Sequence, residues 1–513
     1  MTPYAQKIAD FILSQKRAIP RDSEELRRRV LAQDPGALKA AREIADLVAA
    51  LPEHPDANGQ QPTALLVGGF VRDAVLGLHP KDADLEVYGV PSTALQEALE
   101  RAYPGKVDLV GKAYGVIKVE FEAEIDIDIA IPRPPFGVNR ALHHSGDPSI
   151  PPIEGGHLRD YTMNNVAADP YTGEVYDWWG GIDDLNSNQL RATYPEFFIT
   201  DPLCVWRGVQ FSARRQLIPE QKTLALMRHM VAEGIVDQIE PYQRRLQLNK
   251  LFFKSNIPSI GVELMRSLGL IHRYVDVLDH CCESEALWNR TLKLTDTISE
   301  LLQTAPYELD EHEVVNCFGS ALCSGLHPES NNSQDKLIDA AHSFSTALGF
   351  SPQFAAAVAM ILIKLHLVDS FGKSAPAKKQ TQQLVVSRPG RAAGGLNFGP
   401  SKSDPKADLS TILREAFPAS WKSLHLCASA ARFVDSGQRS SKGGDEFLKT
   451  AQLLGEDDIQ RETLLSKDDL IRTLRIKRGA HIGLIIGEVE KMRFELVTKK
   501  RALQYVRENL MPA

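Results

Sequence analysis

The chain has 513 residues and a mass of 56.8 kDa, which at about 150 residues per domain predicts three or four units. Apolar residues make up 43% and charged residues 24%, a globular rather than a disordered profile. The 59 basic and 66 acidic residues leave a net charge of −7, which excludes a generic basic nucleic-acid coat and confines any nucleic-acid contact to a local patch.

Residues 1–60 read as helices, with Ile8, Ile12 and Leu13 and then Leu26, Val30 and Leu31 at helical spacing. Pro52, Pro55, Asn58 and Gly59 mark a loop. Thr63–Val67 is a short apolar strand that runs into Gly68-Gly69, followed by a helix from Phe70 to Leu76 that stops at Gly77. Further strands are expected at Asp84–Tyr88, Val107–Val110, Val116–Phe121 and Ile125–Ile131, with a helix at Ser92–Ala102 between the first two of these. This grammar predicts a mixed α/β unit built on one small sheet. After about residue 185 strand signals disappear and the rest reads as helical. Two stretches break it: Gly372–Pro405, rich in Ser, Gly, Pro and Lys and expected as a linker, and the Gly-rich Ser436–Gly444. The expected class is α+β, a small mixed-sheet head followed by a long all-α body. The longest apolar run, Phe354–Ile363, closes at Lys364 and is expected to be too short for a membrane span. The beginning of the chain, with Tyr4, Gln6, Lys7 and Asp10, carries no apolar signal core. Six cysteines without a CxxC pair argue against a disulfide framework or a zinc knuckle and point to a reducing, cytoplasmic location.

Two segments carry chemistry. In Leu66-Val67-Gly68-Gly69-Phe70-Val71-Arg72-Asp73 a strand enters a helix through two glycines. Glycines permit close backbone approach to a ligand, and the new helix offers unpaired N–H groups to an anion. Arg72 is expected in the first turn, facing the same anion. In Asp82-Ala83-Asp84 the two carboxylates, two residues apart on a strand, share one face. Their repulsion is relieved by divalent cations, and a pair of Mg²⁺ ions bridging to a nucleoside triphosphate meets that need. A lone DxD usually marks a solvated strand edge; the combination with the glycine turn and Arg72 is the stronger signal. A third carboxylate comes from Asp126 or Asp128, which share a strand face, with Asp128 preferred.

Taken together, Gly68-Gly69-x-Val71-Arg72-Asp73 and Asp82-x-Asp84 resemble the head of the class II tRNA nucleotidyltransferase and bacterial poly(A) polymerase family. Three further segments continue the resemblance in order. Leu158-Arg159-Asp160-Tyr161-Thr162-Met163-Asn164-Asn165 is similar to the family's ribose- and triphosphate-holding motif. Asp177-Trp178-Trp179-Gly180-Gly181-Ile182-Asp183-Asp184-Leu185 is similar to its Gly-Gly turn. Thr200-Asp201-Pro202-Leu203-Cys204-Val205-Trp206-Arg207 is similar to its base-reading segment. Near the end, Asp468-Asp469-Leu470 with Gly479-x-x-Ile482-Gly483 resembles the closing segment of longer members.

The resemblance implies a polymerase-beta-like nucleotidyltransferase head that adds nucleotides to an RNA 3′ end, most simply CCA to tRNA from CTP and ATP. Asp82 and Asp84 would hold two Mg²⁺ ions. Gly68, Gly69, Arg72, Asp73, Arg159, Asp160, Asn164, Asp201 and Arg207 would hold the nucleotide, with Arg72 and Arg159 on phosphate charge and Asp160 and Asn164 on the ribose. It also implies a division into an N-terminal helical extension (1–60), the head (61–185), a base-recognition neck (186–275), a helical domain (276–371), a linker (372–408) and a C-terminal tail (409–513). No membrane partner is expected.

Four departures from the family pattern bear on function. Cys204 stands where the family carries an arginine and Thr200 where it carries a glutamate. A thiol is a weak donor, and a missing donor opposite a base edge costs about 1–3 kcal/mol. Poly(A) or A-only addition is therefore the alternative within the class, and a tRNA-binding protein without catalysis the alternative outside it. Arg207 either substitutes as the donor or is a salt-bridged neck residue. Arg244-Arg245-Leu246-x-x-Asn249 resembles a family helix in which both glutamates have changed. Arg290 and Ser324-Gly325 stand where longer members carry the histidine and His-Asp ligands of an HD phosphohydrolase, which predicts a degenerate HD scaffold without hydrolase activity. His143-His144 is expected in a solvated loop. For RNA contact, Arg472 to Arg501 carries nine Lys/Arg against three Glu, a possible phosphate-binding surface, with Lys373, Lys378 and Lys379 a weaker one.

Overall fold

Apolar residues that are buried along alternating strands assemble one sheet. Leu65, Leu66 and Val67, Leu85 and Val87, and Ile127 and Ile129 are all within its core. The computed structural model describes residues 2–80, 82–110, 116–121, 125–134, 146–326, 333–371, 419–454, 465–474, 481–492 and 498–510, with 409, 413, 416 and 496 singly. They divide into two units: Pro3–Glu240 with Ile260–Leu270, and Pro241–Ser259 with Ile271–Ala513. Lys81, His143, His144, Lys373, Lys378, Lys379 and the linker at 372–408 lie outside the described residues.

In the first unit the strands are β1 (Thr63–Val67), β2 (Ala83–Tyr88), β3 (Val107–Val110), β4 (Val116–Glu120), β5 (Asp126–Ala130), β6 (Ala167–Ala168) and β7 (Val175–Tyr176), in the order β3-β4-β5-β2-β1-β6-β7. β2 is antiparallel to β1 and parallel to β5, with Asp84 opposite Val67 on one side and Asp128 on the other. The sheet is mixed, and the α+β expectation holds. β6 and β7 were not expected, because two residues give no alternation to read. The expectation that strands end near residue 185 is corrected: β8 (Gln189–Leu190) pairs with β9 (Ile218–Pro219) in a small parallel sheet.

Residues 3–49 form α1 (Pro3–Ser14), α2 (Ser23–Leu31) and α3 (Pro35–Ala49). Asp22 and Asp34 cap α2 and α3 by accepting from the Glu24 and Ala37 N–H groups. The apolar face of α3, with Leu38, Ala41, Ile44 and Val48, is buried, and α3 packs on β1 while α2 packs on α4 (Gly68–Val75); α5 (Ser92–Ala102) lies between β2 and β3 in the chain, as expected. The segment after α1 is tied down by Ile19, whose N–H and carbonyl both bond the Asn186 side chain at 2.9 and 3.1 Å.

The second unit is helical. Helices Glu285–Leu302, Glu311–Cys323, Ser333–Leu348, Pro352–Ser370 and Trp421–Ser436 pack around Trp288, Phe318 and Phe344. The apolar run at 354–363 belongs to a helix that continues to Ser370. At 19 residues, that helix is long and apolar enough to cross a membrane by length and composition, which corrects the expectation from the run alone. Its residues Ala355–Ile361 are buried against the neighbouring helices, the position of a core helix. The Gly-rich stretch at 436–444 is only half irregular: Gly437 ends one helix in the left-handed region at φ 74°, but Gly443 and Gly444 open the helix Lys442–Ala451. Gly443 is needed for close packing, since an added Cβ would strike the Asp369 carbonyl.

Candidate active site

The turn from β1 into α4 begins with Gly68 at φ 67°, a conformation that disfavours any side chain. A Cβ built there would lie 3.5 Å from the Asp84 carboxylate and 3.6 Å from the Arg159 guanidinium. The bare glycine therefore leaves a small cradle whose far wall is a carboxylate and a guanidinium. Asp84 is partly buried on β2, and its carboxyl is pushed up to about 6, first by desolvation and then by Asp128 and Asp82, against the pull of Arg159 and Arg72. Asp128 lies directly opposite on β5 and is likewise held above the ordinary value, first by desolvation, with Lys118 opposing. Asp126, the other acid on that face, is occupied by Lys118 at 2.5 Å. Asp82 is exposed, one residue before β2.

Arg159 reaches this acidic face and donates to Glu86 at 2.8 Å. Burial lowers its pKa, but Glu86, Tyr88 and Asp84 outweigh that and raise it. Glu86 is a site-wall residue the sequence reading passed over. It is the next same-face position on β2 after Asp82 and Asp84, so the two-residue period could have found it. It also accepts from the Tyr88 hydroxyl at 2.5 Å.

A second network stands beside the first. Arg72 is buried in the second turn of α4 rather than the first, where it pairs with Asp73 at 2.8 Å and donates to Asn164 at 2.5 Å. Asn164 donates to Asp160 at 2.9 Å, and Asp160 pairs with Arg207 at 2.7 Å. Arg207, on α7 (Leu203–Arg215), is raised first by Asp160, and its guanidinium lies 5.6 Å from the Phe211 ring. Arg72, Asp160, Asn164 and Arg207 thus form one connected chain, and the salt-bridged reading of Arg207 applies. Asp73 bridges Arg72 to Arg215, which it meets with its other oxygen at 2.7 Å.

The loop carrying Asp160 and Asn164 is held from below by the Gly-Gly turn. Asp177 accepts from the Gly181 and Ile182 N–H groups at 2.7 and 2.9 Å and caps α6 (Gly181–Asn186). Buried Asp184 on that helix accepts from Thr162 at 2.6 Å and from Arg191 at 2.5 Å. A Cβ on Gly181 would strike the Thr162 carbonyl, so the second glycine is required by contact with the Asp160 loop.

At the start of α7, exposed Asp201 accepts from the Leu203 N–H at 3.0 Å and from the Cys204 thiol at 3.5 Å. Cys204 is buried, and burial followed by Asp201 pushes its thiol well above the usual range. It stays neutral and turned inward.

Among the described residues no three His, Cys, Asp or Glu side chains gather closely enough to cage a metal by themselves. Mg²⁺ does not need such a cage: it takes one or two carboxylates and completes its shell with water and substrate phosphate. The hard oxygen donors of Asp82 and Asp84 fit that demand.

Residues 64–191 match the family whose description is Poly A polymerase head domain. These residues are similar to that head domain. The chain is 31% identical over 219 residues to the Multifunctional CCA protein of Xanthomonas campestris, and 31% over 214 residues to that of Methylobacillus flagellatus. Each match takes in 42% of this chain, with 51% and 50% of the relative, so the chain spans about half the length of the curated relatives it matches. Its fold is similar to the structure of CCA-adding enzyme apo form I, at a TM-score of 0.53 and 18% identity over 96% of this chain and 98% of that one. A Thermotoga maritima CCA-adding enzyme complexed with tRNA gives 0.53 and 17% over 96% and 99%. The class II nucleotidyltransferase and poly(A) polymerase resemblance read from the motifs is thereby borne out for the head, and the fold for the chain.

Outside the head-domain family match, in the second unit, the positions read as degenerate HD ligands do come together. Arg290 donates to Ser324 at 3.3 Å and pairs with Asp435 at 2.7 and 2.8 Å. Gly325 lies against Cys281. Buried Arg244 stacks over Tyr274 at 4.5 Å, and Arg245 donates to the Gly349 carbonyl. The basic tail is corrected where it is described: Lys499, Lys500 and Arg501 pair with Asp469, Asp335 and Asp339, so these three are neutralised rather than free for phosphate. Residues 475, 477, 478 and 493 lie outside the described residues.

Proposed function

We propose that the chain is an RNA 3′-end nucleotidyltransferase that adds CCA, or part of it, to tRNA from CTP and ATP and releases pyrophosphate. The observation that carries this reading is the register of Asp84 with Asp128 beside the bare Gly68 and the Arg159 guanidinium. The relatives named Multifunctional CCA protein and the CCA-adding enzyme structures with CTP, ATP and tRNA support it.

Mg²⁺ on Asp82 and Asp84 would supply charge neutralisation for the triphosphate and activation of the 3′-hydroxyl. The rest is positioning and charge from the chain itself. Gly68 and Gly69 let phosphate oxygens approach the backbone. Arg159 faces that space with its charge locked on by Glu86. Asp128 adds a third carboxylate on the same face. The Arg72–Asn164–Asp160–Arg207 chain presents pre-ordered polar groups for the ribose. Asp73 supports Arg72 from behind rather than meeting the nucleotide. All six cysteines are free, which suits work in a reducing compartment.

A-only addition is the second reading, and one observation favours it. Cys204 is buried and bonded to Asp201, and Arg207 is committed to Asp160, so the base-reading turn presents Asp201 without a matching guanidinium. Incubating a tRNA trimmed of its 3′ end with labelled CTP and ATP, singly and together, tests both. C incorporation supports CCA addition, A-tailing without C supports the second reading, and no incorporation points to a tRNA-binding protein without catalysis.

A further inference from the structure

A cavity of about 390 Å³ opens in the first unit, lined by Arg17, Ile19, Arg29, Leu76, Leu78, Arg214, Arg215 and neighbours. Four arginines line it, from three separate parts of the chain: the segment after α1, helix α2 and the end of α7. None of its lining residues belongs to the nucleotide site, which it adjoins through Asp73, shared by Arg72 and Arg215. Arg214 is ten residues along α7 from Cys204, about 15 Å at 1.5 Å per residue. The Gly68–Asp84 cradle lies at the start of α4, whereas Leu76 and Leu78 lie at and beyond its end.

The charges in this cavity are not balanced. Arg215 has Asp73 as partner. Arg29 has Glu25 at 3.1 Å, but Glu25 is shared with Arg28 at 2.7 Å. Arg17 donates to the Arg215 carbonyl and Arg214 to the Gln210 side chain, and neither forms an ion pair among the described residues. Desolvation lowers the pKa of Arg17, Arg214 and Arg215, and the nearby charge of Arg72 lowers the last two further. The Nε of Arg215 is buried without a hydrogen-bond partner. Such a cluster repels itself, and an anion beside it would offset that cost. The walls are nonetheless fixed: Arg29 donates to the Val75 carbonyl at 2.7 Å, and Ile19 is clamped by Asn186. Planar guanidinium forks match phosphate oxygens bidentately, and Ile19, Leu76 and Leu78 add an apolar wall. The volume is at the small end of the range for ligand sites, about 300–1,000 Å³.

We propose that this arginine cavity is an anion site for a small molecule bearing a phosphate or pyrophosphate group, separate from the nucleotide site. Free phosphate, pyrophosphate and a nucleoside monophosphate share the chemistry that would be recognised. Calorimetric titration of each into the full chain, in EDTA so that the carboxylate site holds no cation, separates these sources. Binding of at least one is expected, weakened tenfold or more in the Arg17→Gln/Arg214→Gln double variant and unchanged within twofold in Arg159→Gln. If none of the three binds, or if binding is lost in Arg159→Gln and kept in the double variant, the proposal fails. It fails too if the double variant weakens only trimmed-tRNA binding, which would make the cavity an RNA contact. Should the double variant not fold, thermal shift decides with Arg214→Lys, which keeps the charge but loses the fork. A pyrophosphate-induced rise in melting temperature at least halved by Arg214→Lys supports the site, and equal rises overturn it.

Discussion

Asp84 shows how a single side chain is held at a cost in stability. Its carboxyl is pushed up to about 6 from an ordinary value of 3.8, first by desolvation. The folded chain therefore binds a proton more tightly than the unfolded chain. Stability is lost as pH rises from about 4 to above 6, and the penalty is fully present at neutral pH. Asp84→Asn removes the charge, so it should stabilise the metal-free protein at pH 7.5 by on the order of 1 kcal/mol and leave it unchanged near pH 4; thermal melting at the two pH values checks this. The same substitution should lower nucleotide incorporation by roughly 10³-fold or more, the scale of several kcal/mol of charge stabilisation. Cys204 is the second residue with a defined outcome. Cys204→Arg restores a guanidinium beside Asp201 and should raise discrimination between CTP and ATP by about 10-fold, the worth of one recovered donor, measured as the ratio of kcat/KM values. No change in that ratio would place base selection elsewhere.

At the scale of elements, the site is the place where one glycine turn and three strands meet. Gly68→Ala should lower kcat/KM, because the left-handed φ and the space beside Asp84 and Arg159 both exclude a side chain. Asp177→Ala removes the cap of α6 and should cost about 1 kcal/mol of stability, with urea unfolding as the measure. The β1–α4 turn and the acids of β2 and β5 were legible in the sequence because alternation and paired glycines have a fixed period and a fixed place. The partners of those residues were not. Arg72 bonds Asn164 across 92 positions and Arg215 bonds Asp73 across 142, and no local pattern announces such pairs. Two-residue strands such as β6 and β8 arise from neighbours in space, not from their own residues.

On the scale of the whole molecule, each unit has its own logic. In the first, residues 3–49 are part of the core rather than an added arm, since α3 packs on β1 and α2 on α4. In the second, Arg290 meets Ser324 and Asp435, a guanidinium with one hydroxyl and one carboxylate rather than a set of metal-binding side chains. Phosphodiesterase and phosphatase assays with Mn²⁺ or Ni²⁺ should accordingly read at background, and hydrolysis abolished by Ser324→Ala would contradict this. The helical body was readable as helical, but the ion pairs of Lys499, Lys500 and Arg501 were not, so a run that looked free for RNA proves internally matched where it is described. The most direct measurement is 3′-end sequencing of trimmed tRNA after incubation with CTP, ATP and Mg²⁺. Wild-type protein is predicted to leave added nucleotides ending in A and the Asp82→Asn/Asp84→Asn variant none; equal tailing by both would contradict the assignment of these two acids.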